Sequence, residues 1–145
     1  MSSLKIRRMT IADYDAVVEL WKKAGLSYRP DGRDSPERVG RELGMPMAVF
    51  LVAEEGGKII GVIFGTQDGR KMYVNRLAVH PGSRRKGVAA ALVRELERLA
   101  DEMGLLLVTA LVEDENTPSL AFMESMGYVR HNDITYFSKR KDKDA

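Results

Sequence analysis

The sequence has no cysteine, one tryptophan, two histidines and a formal net charge of only +2, and no stretch reaches the roughly 18 consecutive apolar residues that a membrane span requires. Without cysteine there can be no disulfide, no thiol nucleophile and no Cys-ligated zinc or iron–sulfur centre. His80 and His131 alone do not make a His-rich metal site, so no metal is expected. With 23 Lys and Arg against 21 Asp and Glu, the chain lacks the broad positive field of a nucleic-acid binder. The opening Met1 to Arg8 contains no apolar core of a signal peptide. These absences predict a cytoplasmic protein with no nucleic-acid or membrane partner.

What is present is an ordinary globular composition: 145 residues, 44% hydrophobic and 30% charged. That length supports one core and leaves little for a second domain, so residues 1–138 read as a single domain. Lys139 to Ala145 reads as a charged, disordered tail.

Periodicity orders the elements. Thr10 and Asp13 have the spacing of a capping box, and Ile11, Tyr14, Val17, Val18 and Trp21 recur at helical spacing as far as Ala24. Trp21 reads as core. Leu26 to Asp34 is turn-rich, and Ser35-Pro36-Glu37 opens a short helix that stops at Gly44. Ala48 to Ala53 and Lys58 to Phe64 are apolar runs joined by Glu54-Glu55-Gly56-Gly57, a hairpin, and Lys71 to Val79 adds a third strand. Val88, Leu92, Leu96, Leu99 and Met103 share one face of a helix over Gly87 to Met103. The aliphatic run Leu105 to Val112 reads as a central strand covered on both faces. Thr117-Pro118 opens a last helix ending at Gly127, and Tyr128 to His131 and Ile134 to Ser138 read as two final strands. The pattern predicts a layered α/β domain.

Chemistry is concentrated where the third strand ends, a basic loop follows and the long helix begins: Leu77-Ala78-Val79-His80-Pro81-Gly82-Ser83-Arg84-Arg85-Lys86-Gly87-Val88-Ala89-Ala90. A helix N-terminus presents unpaired N–H groups and about half a positive charge, which favours a phosphate. Gly87 removes a side chain where an anion would approach the backbone, and Ala89 keeps the next contact small. The spacing is neither that of a Walker loop nor that of a dinucleotide-binding turn. His80, before Pro81 at a strand end, reads as structural.

The run Arg76 to Pro81 followed by Arg84-Arg85-Lys86-Gly87-Val88-Ala89 resembles the acyl-CoA signature of the GNAT N-acetyltransferase superfamily, Gln/Arg-x-x-Gly-x-Gly/Ala. Asn116 through Phe122, Glu124 and Gly127-Tyr128 resemble that superfamily's next motif, and the order of elements also agrees. The resemblance implies a mostly antiparallel mixed sheet of six to seven strands, splayed at the middle, with helices on both faces. It implies an acyltransferase that moves acetyl from acetyl-CoA directly to a primary amine, on a small molecule or a peptide N-terminus. The pantetheine would lie along Leu77, Ala78 and Val79 in the splay, with its acetyl carbonyl polarised by a backbone N–H near Leu77 or Val79. The backbone from Arg85 through Lys86, Gly87, Val88 and Ala89 to Ala90 would hold the pyrophosphate with Arg84 alongside, and Asn116 would hydrogen-bond the pantetheine arm. Acceptor selection would fall to the first helix, the Leu26 to Asp34 loop and the final hairpin, and an exposed sheet edge would allow a homodimer.

Two positions depart from the family pattern. Met123 stands seven residues after Asn116, where many members place a Tyr that protonates the departing thiolate, and Leu111 stands where some members carry a Glu base. A thiol of pKa about 8.5 leaving as thiolate at neutral pH forgoes at most about 2 kcal/mol, whereas deprotonating an alkylamine of pKa about 10.4 costs roughly 4 to 5 kcal/mol. A base is therefore worth more than an acid here. In an extended strand Glu113 shares the face of Leu111, and in a regular strand Tyr73 and Asn75 share the face of Leu77, where they could order a water. Tyr128 and Tyr136 are further proton sources. The competing expectation, motivated by Met123 and Leu111, is a catalytically silent CoA-binding regulatory module.

Overall fold

The computed structural model describes residues 3–84 and 87–145. Five strands form one sheet in the order β1-β2-β3-β4-β5: β1 (Lys5–Arg8), β2 (Ala48–Glu55), β3 (Lys58–Gln67), β4 (Met72–Val79) and β5 (Val108–Ala110). The first four are antiparallel, and β5 runs parallel to β4. Helices α1 (Tyr14–Lys23) and α2 (Pro36–Leu43) cover one face of the sheet, and α3 (Val88–Glu102) covers the other. Helix α4 (Thr117–Ser125) adds Phe122 to the α3 side.

The sheet's middle is buried on both faces because β2 alternates strictly between two apolar layers. Val49, Leu51 and Ala53 join Leu92, Val93 and Leu96 of α3, while Ala48, Phe50 and Val52 join Val17, Leu20 and Trp21 of α1. Two glycines of β3 bring α3 close. A Cβ on Gly61 would lie 2.7 Å from Val88 Cγ1, and one on Gly65 would lie 2.6 Å from Leu96 Cδ1 and 3.2 Å from the Val49 carbonyl oxygen.

The first helical segment opens as expected: the Asp13 carboxylate accepts the Thr10 backbone N–H at 2.8 Å, although Ile11–Asp13 forms a 3-10 turn before the α-helix proper. The same carboxylate takes a two-pronged contact from Arg7 at 2.8 and 2.9 Å, and Arg7 also reaches Glu54 at 2.9 Å, which ties β1 to the first helix and to β2. Arg7 holds Asp13 down to a pKa of about 2, against the opposing effect of burial. A carboxyl depressed on folding stabilises the protein above its unfolded pKa, and that contribution disappears as pH falls through the folded value. Acid unfolding should therefore lose about 2 kcal/mol between pH 4 and pH 2 from this group. In Asp13→Asn, urea titrations across this range should show a correspondingly flatter pH dependence.

Three sequence expectations are corrected. The count of strands is five, not six to seven, among the described residues: Tyr128 to His131 and Ile134 to Ser138 form no ladder. Alternation gives a segment the capacity to pair but no partner, and here Val129, Ile134, Tyr136 and Phe137 are exposed with no strand edge over them. The strand within Leu105 to Val112 is short and lies at the end of the sheet, not at its centre. Leu106 is 97% exposed, and only Val108–Ala110 pairs. β1 was not expected, since three of its four residues are charged, which is how an edge strand reads.

Candidate active site

Strand β4 carries a bulge. Val74 pairs with Gly65 and Arg76 with Phe64, which leaves Asn75 as the extra residue. The faces switch across it. Met72 and Val74 lie in the layer under α3, yet beyond the bulge it is Leu77 and Val79 that pack there, while Ala78 joins the α1 side. Leu77 and Tyr73 consequently face opposite ways, and the regular strand assumed from sequence does not exist. The ladder between β4 and β5 ends at Val74, paired with Ala110, immediately before the bulge. Beyond Val74 no strand among the described residues pairs with that edge of β4, so the edge is open along residues 75–79, as a bulge that bends and twists its strand allows.

The open edge has a defined polarity. The His80 N–H donates to the Ile60 carbonyl of β3 at 2.8 Å. Backbone direction alternates along a strand, so the Ala78 amide also turns toward β3, and those of Leu77 and Val79 turn toward the opening. His80 Nδ1 accepts the Gly82 N–H at 3.0 Å, capping the 3-10 turn Pro81–Ser83 in the structural role expected of it.

Helix α3 begins beside this edge. Its N-cap is Gly87, which has no side chain to cap the first turn and adopts a left-handed conformation with φ +76°; among the described residues, chain neighbours aside, a Cβ there would meet nothing within 4 Å. Val88 is buried, and Ala89 and Ala90 are half-buried. The first-turn amides are thus uncapped next to open space at the positive end of a 15-residue helix. Arg84 is exposed. Arg85 and Lys86, expected beside the phosphates, lie outside the described residues.

The remaining candidates have local partners. Asn116 is the N-cap of α4, its side-chain oxygen accepting the Ser119 N–H at 3.3 Å, which leaves its amide NH2 as a donor. Asn75 Nδ2 donates to Thr66 Oγ1 at 2.8 Å, and the Tyr73 hydroxyl donates to Asp68 Oδ2 at 3.0 Å. Glu113 is exposed and lies beyond the end of β5 at Ala110, so strand parity does not relate it to Leu111. Tyr128 is held by Glu97 of α3, whose carboxylate accepts its hydroxyl at 2.8 Å; burial and this carboxylate push the phenol well above its ordinary pKa. Tyr136 is exposed and Met123 is buried. No group of three or more His, Asp or Glu among the described residues is placed to hold a metal.

A model of the "Acetyltransferase (GNAT) family" matches residues 14–128, which is most of the chain and includes both the open edge and the α3 N-terminus. The chain belongs to the GNAT acetyltransferase family. It is an acyltransferase, with acetyl-CoA as donor. Solved structures with the same fold include the aminoglycoside N-acetyltransferase AAC(6′)-Iy in complex with CoA, with TM-score 0.79 and 21% identity over 97% of each chain. Another is PaiA N-acetyltransferase from Thermoplasma acidophilum with coenzyme A, with TM-score 0.77 and 21% identity over 85% of this chain and 87% of that one. A third is the aminoglycoside acetyltransferase meta-AAC0020 from an uncultured soil metagenomic sample, in complex with sisomicin, with TM-score 0.76 and 20% identity over 96% and 97%.

Sequence reasoning gave no role to Arg76, quoted above only as part of a motif. Its guanidinium contacts Asp34 Oδ2 at 2.7 Å and the Ser27 carbonyl at 2.5 Å, and it lies 4.8 Å from the centre of the Trp21 ring. The signal was available: Arg76 is the one charged residue of β4, in the middle of an otherwise largely apolar strand.

Proposed function

We propose that this acetyltransferase is an N-acetyltransferase that moves acetyl from acetyl-CoA to a primary amine by direct attack in a ternary complex. The observation that carries the reading is the adjacency of the open edge of β4 to the uncapped N-terminus of α3. The chain's residues fit the donor: Gly87 leaves open a space that a Cβ would enter, beside amides that need an acceptor. In this reading the amides from Gly87 to Ala90, with Arg84, Arg85 and Lys86, hold the pyrophosphate. Leu77, Ala78 and Val79 pair with the pantetheine as a further strand would, and Asn116 donates to it through its free NH2. The Leu77 or Val79 amide polarises the thioester carbonyl, a backbone contribution that no side-chain substitution removes.

Glu113 is the proposed base for the incoming ammonium, because it is a solvent-accessible carboxylate three residues past the end of β5. Asn75 keeps its amide oxygen as an acceptor, and Tyr73 keeps a lone pair, so both retain the means to order a water in the proton's path. If so, Glu113→Gln should lower turnover most at low pH, where the amine most needs a base, and the pH–rate profile checks this. The AAC(6′)-Iy and meta-AAC0020 likenesses make polyamino sugars the first acceptors to try. The test is thiol release from acetyl-CoA with kanamycin, spermidine, amino acids and short peptides, alongside calorimetric titration with CoA. Turnover on one class is expected; absence of CoA binding would overturn the reading.

A further inference from the structure

Building on the acetyl-transfer reading, we infer that Arg76 is a positioning residue for the amine acceptor: with Asp34 it forms a strut that fixes the Leu26 to Asp34 loop against β4. The bulge makes this possible. In a regular strand Arg76 would follow Met72 and Val74 into the apolar layer beneath α3, but the extra residue at Asn75 turns it to the α1 face. There the guanidinium lies over Trp21, and its donors reach both ends of the loop, at the Ser27 carbonyl and the Asp34 carboxylate. The two charged side chains are 12% and 7% exposed, and Arg76 immediately precedes Leu77, where the open edge begins.

Asp34 is the hub on the loop side. Its carboxylate accepts the Arg29 backbone N–H at 2.6 Å as well as Arg76, its own N–H donates to the Arg29 carbonyl at 3.0 Å, and its carbonyl accepts the Tyr14 hydroxyl at 2.6 Å. The loop has no helix or strand of its own, so its shape is set by these bonds, by the Trp21–Tyr28 contact at 5.9 Å between ring centres, by its own turn bonds at Gly32 and by the Arg29 side chain's bond to the Lys143 carbonyl at 3.3 Å. A planar fork satisfies Ser27 and Asp34 at once, which an ammonium cannot reproduce. The strut thereby ties the loop's shape to the strand that faces the thioester, on the opposite sheet face from α3, so its loss should affect the acceptor and spare the donor.

The test compares wild type with Arg76→Lys and with the charge-neutral double variant Arg76→Met/Asp34→Asn, which leaves no buried charge unpaired. Trypsin reads the loop directly: Arg29 precedes Pro30 and resists cleavage, so cutting between Arg33 and Asp34 reports local opening. The expected result is cleavage at least 10-fold faster in the double variant and intermediate in Arg76→Lys. The KM for the amine that wild type acetylates should rise at least 5-fold, with KM for acetyl-CoA and calorimetric CoA affinity within 2-fold. Unchanged cleavage would overturn the strut. Faster cleavage with both KM values moving together, or neither, would overturn the acceptor role. If wild type releases no thiol with any amine, the transfer reading itself fails, and cleavage alone then decides whether the strut exists.

Discussion

Gly87→Asn should leave the fold intact and weaken CoA binding at least tenfold by calorimetry. Gly87 stands at φ +76°, a conformation costing most L-residues about 1–2 kcal/mol, but Asn visits it readily. Stability should therefore hold within about 1 kcal/mol. Its Cβ would have no atom of the described residues beyond its chain neighbours within 4 Å; in the proposed reading, what the side chain displaces is an anion approaching the α3 amides. Losing one charge-assisted hydrogen bond costs about 1.5–3 kcal/mol, which is roughly 10- to 150-fold in Kd. Gly87→Val should add backbone strain to the same loss, so the two variants together separate occupancy of the site from conformation. Normal CoA affinity in Gly87→Asn would mean that the pyrophosphate lies elsewhere.

Gly65→Val is expected to be strongly destabilising. Its Cβ alone would stand 2.6 Å from Leu96, a fully buried side chain with nowhere to retreat, and 3.2 Å from a backbone oxygen of β2. Overpacking of this kind costs about 1–3 kcal/mol, and the β-branch places this case at the upper end. At this chain length that lowers Tm by roughly 5 to 10 °C. Gly61→Val makes a useful contrast. Gly61 lies under Val88, in the first turn of α3, so relieving that clash lifts the end of the helix where the first-turn amides point. Gly61→Val should lower both stability and CoA affinity, whereas Gly65→Val, beneath Leu96 further along, should lower stability alone. Thermal melts with and without CoA distinguish the two.

Long periodic elements were legible in the sequence, and irregularities were not. Helix α3 declared itself through Val88, Leu92, Leu96 and Leu99, and the β2–β3 hairpin through a pair of glycines between apolar runs, because burial imposes those periods. The start of α3 at the Gly87 turn was also legible, being a matter of local chain geometry. The bulge at Asn75 was invisible. A residue that breaks a ladder leaves the local alternation ambiguous, and the decision is made by what β3 and α3 offer each side chain. Reading Tyr73 and Leu77 as neighbours on one face followed from that. Arg76 showed its charge but not its partner, since Asp34 lies 42 residues away and only folding brings the two together. The last two segments carry a strand's composition, but composition cannot supply a partner edge.

The bulge also bears on how this gene can vary. Side-chain changes at Asn75 alter one hydrogen bond, to Thr66, and leave the path of the backbone in place. Loss of the codon is another matter: Arg76 would follow Val74 directly and keep to the α1 side, with Leu77 and Val79 still under α3, but the irregularity at which the β4–β5 ladder stops would go with the extra residue, and β5 would be free to pair onward and close the opening. Substitutions that keep the fold and an in-frame deletion that closes the opening should thus meet at a single codon.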